Sequence, residues 1–303
     1  MVAERLRSAG IDEPMCLKPL SDGGEGIASV IMPEAVEIAK GIYSDPARRY
    51  SDLAVSSEII GFEAFAGKNI PLMERSSFAL GEAVRAYREI SIAVGGTATS
   101  DCGAGFLQAL GARFFDRQGK LISKPLTPRT LPTVASADLD TLQAYRLSGI
   151  IDVTASLVAP PLSALDFARQ KALEGECLDG LREALAHFQS VVGGSSKWDG
   201  AGGGLGYALA SVCKAPCHGG AEAVIDSLDI DWSQINFVIT GEGKVDRQTA
   251  LGGKLVDTLF RKATSLGIGT LVLYGAVDDI PMPYPHMAQI DSPWEKLELF
   301  KNF

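Results

Sequence analysis

The chain has 303 residues, 46% of them hydrophobic and 21% charged, enough to bury a large core in one or two domains. Acidic residues outnumber basic ones by 37 to 28, and the net charge of −9 argues against a general nucleic-acid binder, which presents a basic face. No apolar run reaches the roughly 18 residues of a membrane-spanning helix, so no membrane partner is expected, and five cysteines without framework spacing fit reduced thiols in a cytoplasmic protein.

The opening stretch, MVAERLRSAGIDEP, has no apolar signal core and reads as the end of an amphipathic helix. PLSDGGEG follows at 19–26 and sets Asp22 and Glu25 three apart among glycines. It can be a turn with Asp22 as N-cap and Glu25 closing a capping box, or an acidic loop that holds a metal or accepts a substrate proton. An amphipathic helix is predicted over 78–88, then an apolar strand over 90–94 that runs into Gly95-Gly96. A helix over 104–110 closes at Gly111. The stretch 119–140, rich in Pro, Thr and Ser, reads as an exposed excursion, and Pro160-Pro161 breaks the chain again. Helices are predicted over 178–192, 206–213 and 254–266, and strands over 237–240 and 270–274, each ending at a glycine. Short apolar strands alternating with helices predict an α/β fold with ligands at the carboxyl ends of its strands.

The chemistry sits in the loops. GGTATSDCGAG at 95–105 follows a strand and opens a helix. Gly95 and Gly96 let backbone N–H groups converge on an anion, Thr97, Thr99 and Ser100 add hydroxyl donors, and Asp101 adds a carboxylate. A tight turn capped by Ser100 or Asp101 explains the same residues, and the Gly-Lys-Ser/Thr ending of a P-loop is absent. ITGEGKVDRQTALGGK at 239–254 brings Gly241, Glu242, Lys244, Asp246, Arg247, Thr249 and Lys254 together after a buried strand, either as a site or as a solvated salt-bridge network. WDGAGGGLGYAL at 198–209 suits close helix packing as well as ligand contact. Asp152 ends a short apolar strand. Cys213, Cys217 and His218 lack further ligands for a zinc site, and His187, His218 and His286 fall outside the motifs.

Taken in order, these segments resemble the type I glycerate kinases. The family's DGGEG, GGSATNDGGAG, DVTNPL, GAAGGLG and ITGEGRxDxQT patterns appear here at 22–26, 95–105, 152–157, 200–206 and 239–249. The resemblance implies transfer of the ATP γ-phosphate to D-glycerate, giving 2-phosphoglycerate and ADP, with Mg²⁺ as the metal. It implies a flavodoxin-like lobe from 1–34 plus 232–303, an inserted α/β lobe from 35–231, and a substrate cleft between them. On that footing Asp22, Asp101, Glu242, Asp246 and Lys254 are the expected catalytic residues. Asp101 and Glu242 would be metal-proximal or proton-accepting, Lys254 or Lys244 would offset phosphate charge, and Asp22 or Asp246 would orient the glycerate hydroxyl. Gly95, Gly96, Thr97, Thr99, Ser100, Gly241, Lys244 and Thr249 are the expected binding residues.

The sequence departs from the family pattern in places. It starts after the family's APDSFKGSLSA-like loop, DVTNPL becomes Asp152-Val-Thr-Ala-Ser-Leu157, and an FGPQKGA-like stretch becomes the segment 164–172, which contains Lys171. Two alternatives follow: a shortened family member that binds nucleotide or glycerate without turnover, and an α/β enzyme acting on another phosphorylated small molecule.

Overall fold

A computed structural model describes residues 4, 7–8, 14–21, 27–39, 41–44, 53–54, 70–171, 173–246, 249, 254–278 and 284–289. Eleven strands group into three sheets among these residues. The largest orders β1 (Val36–Ala39), β2 (Ile42–Ser44), β3 (Leu53–Ala54), β4 (Glu89–Ala93), β7 (Arg146–Ile151) and β8 (Cys217–Gly219) side by side. Its first two pairings are antiparallel and the rest, from β3 through β8, are parallel. β5 (Arg113–Phe115) and β6 (Ser136–Asp138) form a small antiparallel ribbon. β9 (Phe237–Val245), β10 (Gly269–Val277) and β11 (Met287–Gln289) make a separate, wholly parallel sheet.

The pleat of the large sheet separates two cores. Ile90 and Ile92 point to one face, where they join α2 (Phe78–Val84), α3 (Ala104–Ala109) and α5 (Glu176–Val192) in the main core around Phe106, Phe114, Phe188 and Tyr207. Ala93 and Ile150 point to the other face and meet α1 (Ile27–Ile31) and α6 (Gly220–Ser227). Leu255, the first residue of α7 (Leu255–Ser265), packs against this second core, and α6 rests on α7, so the small sheet's helix is docked there. A third core joins Val256, Val272 and Tyr284.

Two expectations are corrected. β9 and β10 do not stop at Gly241 and Gly275; both strands run on to Val245 and Val277. A Cβ on Gly241 would stand 2.4 Å from the Leu273 carbonyl oxygen, so the glycine permits close strand pairing and is no turn. The 119–140 stretch is not simply exposed. Leu126, Leu131 and Val134 are buried, and the Gln108 amide holds the Ile122 and Lys124 carbonyls at 2.7 and 3.0 Å.

Candidate active site

The loop that follows β4 is built from its neighbours. The Val94 N–H donates to the Ile150 carbonyl (2.9 Å), and the Thr97 hydroxyl turns back to donate to the Val94 carbonyl (2.6 Å). Behind it lies the glycine turn at 201–204. Gly203 has φ +64, and a Cβ there would lie 2.1 Å from the Thr99 carbonyl oxygen. The Gly203 carbonyl accepts from the Cys102 N–H (3.2 Å). The turn is therefore a wall pressed against the loop; of the two readings of WDGAGGGLGYAL, its packing role is the one visible.

Asp101 is almost wholly enclosed, 1% exposed. Its Oδ2 accepts from the Ser77 N–H (2.7 Å), the Ser77 hydroxyl (2.8 Å) and the Gly105 N–H (3.2 Å), tying the starts of α2 and α3 together. The Ser77 hydroxyl in turn accepts from the Phe106 N–H at 2.9 Å. These N–H groups at the start of α3 are thus taken by the protein itself; the N-cap residue is Gly103 rather than Ser100 or Asp101, although this Asp101 oxygen takes the Gly105 N–H. Its other oxygen, Oδ1, is buried without a hydrogen-bond partner, as is the Thr99 hydroxyl. Burial raises the carboxyl pKa, and the Ser77 hydrogen bonds pull the other way.

Sequence reasoning missed the cations beside this loop. α4 (Ala164–Gln170) starts on a capping box of Ser163 and Asp166 and packs against the glycine turn. Its C-cap is Lys171, whose ammonium donates to the Thr99 carbonyl (2.6 Å) and reaches the Ser100 hydroxyl (3.5 Å). Burial first, then the nearby Arg75 guanidinium, press the Lys171 pKa down to about 7, while Asp101 and Asp152 act against them. Arg75 donates to the Ala98 and Ile70 carbonyls, both at 3.1 Å, and its own pKa is lowered by burial. The structure therefore gathers Thr99, Ser100, Asp101, Asp152, Arg75 and Lys171 where β4 and β7 end.

The residues of 239–254 stand elsewhere, on the small sheet. Lys244 extends from β9 to an ion pair with Asp278 (2.8 Å), both side chains about half exposed at 56% and 48%. Asp246 and Thr249 cap one another: the Asp246 N–H reaches the Thr249 hydroxyl at 3.3 Å, and the Thr249 N–H reaches Asp246 Oδ1 at 3.2 Å. Lys254 is half-buried as the N-cap of α7. Glu242 lies near enough to Tyr284 to help raise its phenol pKa, after burial and Asp257. Gly241 is in the strand, as described above. Gly95 and Gly96 precede the Thr97 turn, Gly96 with φ +79. Asp22 and Arg247 lie outside the described residues. Among the described residues, no three His, Cys, Asp or Glu side chains gather closely enough to form a metal cluster by themselves.

The sequence profile of the glycerate kinase family matches residues 1–292. The chain belongs to the glycerate kinase family. A glycerate kinase of Neisseria meningitidis serogroup B is 28% identical over 95% of this chain and 84% of its own length. The glycerate 2-kinase of Escherichia coli K12 is also 28% identical, over 77% of this chain and 69% of its own. A crystal structure designated glycerate kinase 2, from Salmonella typhimurium LT2, superposes with a TM-score of 0.65 at 26% identity, covering 98% of this chain and 88% of that one.

Proposed function

We propose that this glycerate kinase family member transfers the γ-phosphoryl group of ATP to D-glycerate, giving 2-phosphoglycerate and ADP. The observation that carries the reading is the family match across residues 1–292. The group at the ends of β4 and β7, with Thr99, Ser100 and Asp101 buried and Arg75, Lys171 and Asp152 half-buried, supports it, since α/β sheets bind ligands at the carboxyl ends of their strands.

Phosphoryl transfer needs positioning and charge stabilisation more than covalent chemistry from the protein. Asp101 offers a buried carboxylate oxygen without a partner, beside the Thr99 and Ser100 hydroxyls. An all-oxygen donor set fits Mg²⁺, with Asp101 and, from the small sheet, Glu242 as the carboxylates that would hold it. When bound with ATP, the ion offsets charge on the phosphates. The chain's own groups supply the rest. The loop of Gly95, Gly96, Thr97, Thr99 and Ser100 lines the phosphate, with Gly241 and Thr249 on the opposite lip, and Asp101 or Glu242 takes up the hydroxyl proton. Asp22 or Asp246 orients the glycerate hydroxyl. Lys254 neutralises phosphate charge more readily than Lys244, which already faces Asp278.

The same reading takes 1–34 plus 232–303 as one lobe and 35–231 as the other, with the cleft between them, in a cytoplasmic protein. No helix among the described residues is long and apolar enough to cross a membrane. The test is ADP release from MgATP with D-glycerate against related hydroxy acids, followed by phosphorus NMR of the product. ADP release with D-glycerate and a 2-phosphoglycerate signal are expected. Binding of nucleotide or glycerate without ADP release would favour the silent family member, and a 3-phosphoglycerate signal would contradict the regiochemistry.

A further inference from the structure

Lys171 is unusual for a residue that only fastens a helix to a loop. Its hydrogen-bond partners, the Thr99 carbonyl and the Ser100 hydroxyl, are both neutral. A neutral amide could hold that carbonyl without drawing a charge partly out of water, a cost that here only the nearby Asp101 and Asp152 offset. A second cation, Arg75, is held on the same loop through the Ala98 carbonyl and stands close enough to repel Lys171. Both side chains are fixed by backbone carbonyls, so neither can swing away cheaply. The residue whose carbonyl Lys171 holds, Thr99, is 2% exposed, and its hydroxyl oxygen is buried without a hydrogen-bond partner. Two converging cations with an unused hydroxyl describe a receptor for a small anion. Asp101 and Asp152 also act on this ammonium and would repel a second carboxylate placed against them, which favours an anion held nearer Arg75.

We infer that Lys171, with Arg75 and the Thr99 hydroxyl, forms the subsite that receives the carboxylate of the sugar acid, so that Lys171 sets the preference for an acid over its neutral analogue. This rests on the glycerate reading above. The acid's hydroxyl end is then directed towards Asp101 and Asp152, and the nucleotide is left to the other lip. Lys171 is in this account a binding residue of the substrate's unreactive end.

The test uses the full chain and three ligands: glycerate, its neutral amide glyceramide, and a non-hydrolysable ATP analogue, with dissociation constants measured by calorimetry. Wild-type protein should bind glycerate better than glyceramide. Lys171→Met should weaken glycerate by about 10- to 100-fold, the size expected for losing a charge-assisted contact. Glyceramide and the ATP analogue should change by less than about threefold. Lys171→Arg should recover most of the glycerate affinity. Equal weakening of glycerate and glyceramide by Lys171→Met would reduce Lys171 to a structural tie and overturn the inference. Loss confined to the ATP analogue would overturn it too, by assigning the cation to phosphate. Should Lys171→Met not fold, Lys171→Gln, which can still hold the Thr99 carbonyl, is read by the same ratio. Wild-type protein that binds glycerate but releases no ADP would sink the kinase reading and leave the subsite standing. A wild type that turns glycerate over with unchanged selectivity in Lys171→Met would do the reverse, and a wild type that binds no glycerate overturns both.

Discussion

The loop after β4 and the segment running from β9 into α7 carry similar residues, yet the fold treats them differently. Around the first, Asp101 is enclosed, Lys171 is pressed towards neutrality, and a glycine turn holds the backbone from behind. In the second, the charges are largely answered by one another: Lys244 by Asp278, Asp257 by Arg261, and Asp246 by the Thr249 N–H. Charges already paired near solvent contribute little beyond local order, whereas enclosed and imperfectly partnered ones are what sites of chemistry need. The first region thus has the character of a rigid receptor and the second that of a charged segment whose charges are mostly answered locally.

The strongest way to break this contrast is at Asp101. Asp101→Asn keeps an oxygen for Ser77 but removes the acid, and kcat should fall by about 10²–10⁴-fold with the melting temperature nearly unchanged. A rate near wild type would move the chemistry away from this loop. Next comes the wall. Gly203→Ala combines a left-handed φ of +64 with a clash against the Thr99 carbonyl, and should destabilise the fold by about 2–4 kcal/mol in urea titration. An unaffected midpoint would show that the loop is not held from behind.

A smaller effect is in pH. Lys171 is lowered from 10.5 to about 7, so the folded chain binds fewer protons than the unfolded one between those values. The unliganded protein should therefore gain stability as pH rises from 7 towards 10.5, and a bound anion, by raising the pKa, should flatten that rise. Glycerate affinity should be level below pH 7 and weaken by up to about tenfold per unit above it, a slope that Lys171→Met should abolish. The smallest effects separate the two lysines of the segment running from β9 into α7. Lys254→Gln should lower kcat/KM for MgATP by about tenfold, whereas Lys244→Gln, losing a solvent-exposed pair, should alter it and the urea midpoint little.

The sequence made the first loop legible because its signal is local: Gly95, Gly96, Thr97, Thr99, Ser100 and Asp101 fall within seven consecutive positions after an apolar strand. The partners that give the loop its electrostatics are distant. Lys171 lies 72 positions from Thr99 and Arg75 lies 23 from Ala98, and neither sits in a pattern of its own. The altered stretch at 164–172 was the one trace of Lys171, and its lost Gly-Pro drew attention away from its lysine. Glycine also misled. At Gly241 and Gly275 it stands for tight pairing between strands, and only the opposing backbone, Leu273 and Gly243, distinguishes that from a turn. Helix ends were easier: α3, α5 and α7 begin and end within about two residues of the places their amphipathic patterns and glycines indicate. Buried hydrophobics in the 119–140 stretch were masked by its prolines and hydroxyls.

The most direct test of the account is a crystal structure of the protein with glycerate and a non-hydrolysable ATP analogue. The account predicts glycerate at the loop of Thr99, Ser100 and Asp101, its carboxylate within hydrogen-bond reach of Lys171 and Arg75, and the nucleotide's phosphates facing Lys254. Glycerate bound against β9 and α7, with no contact to that loop, would contradict it.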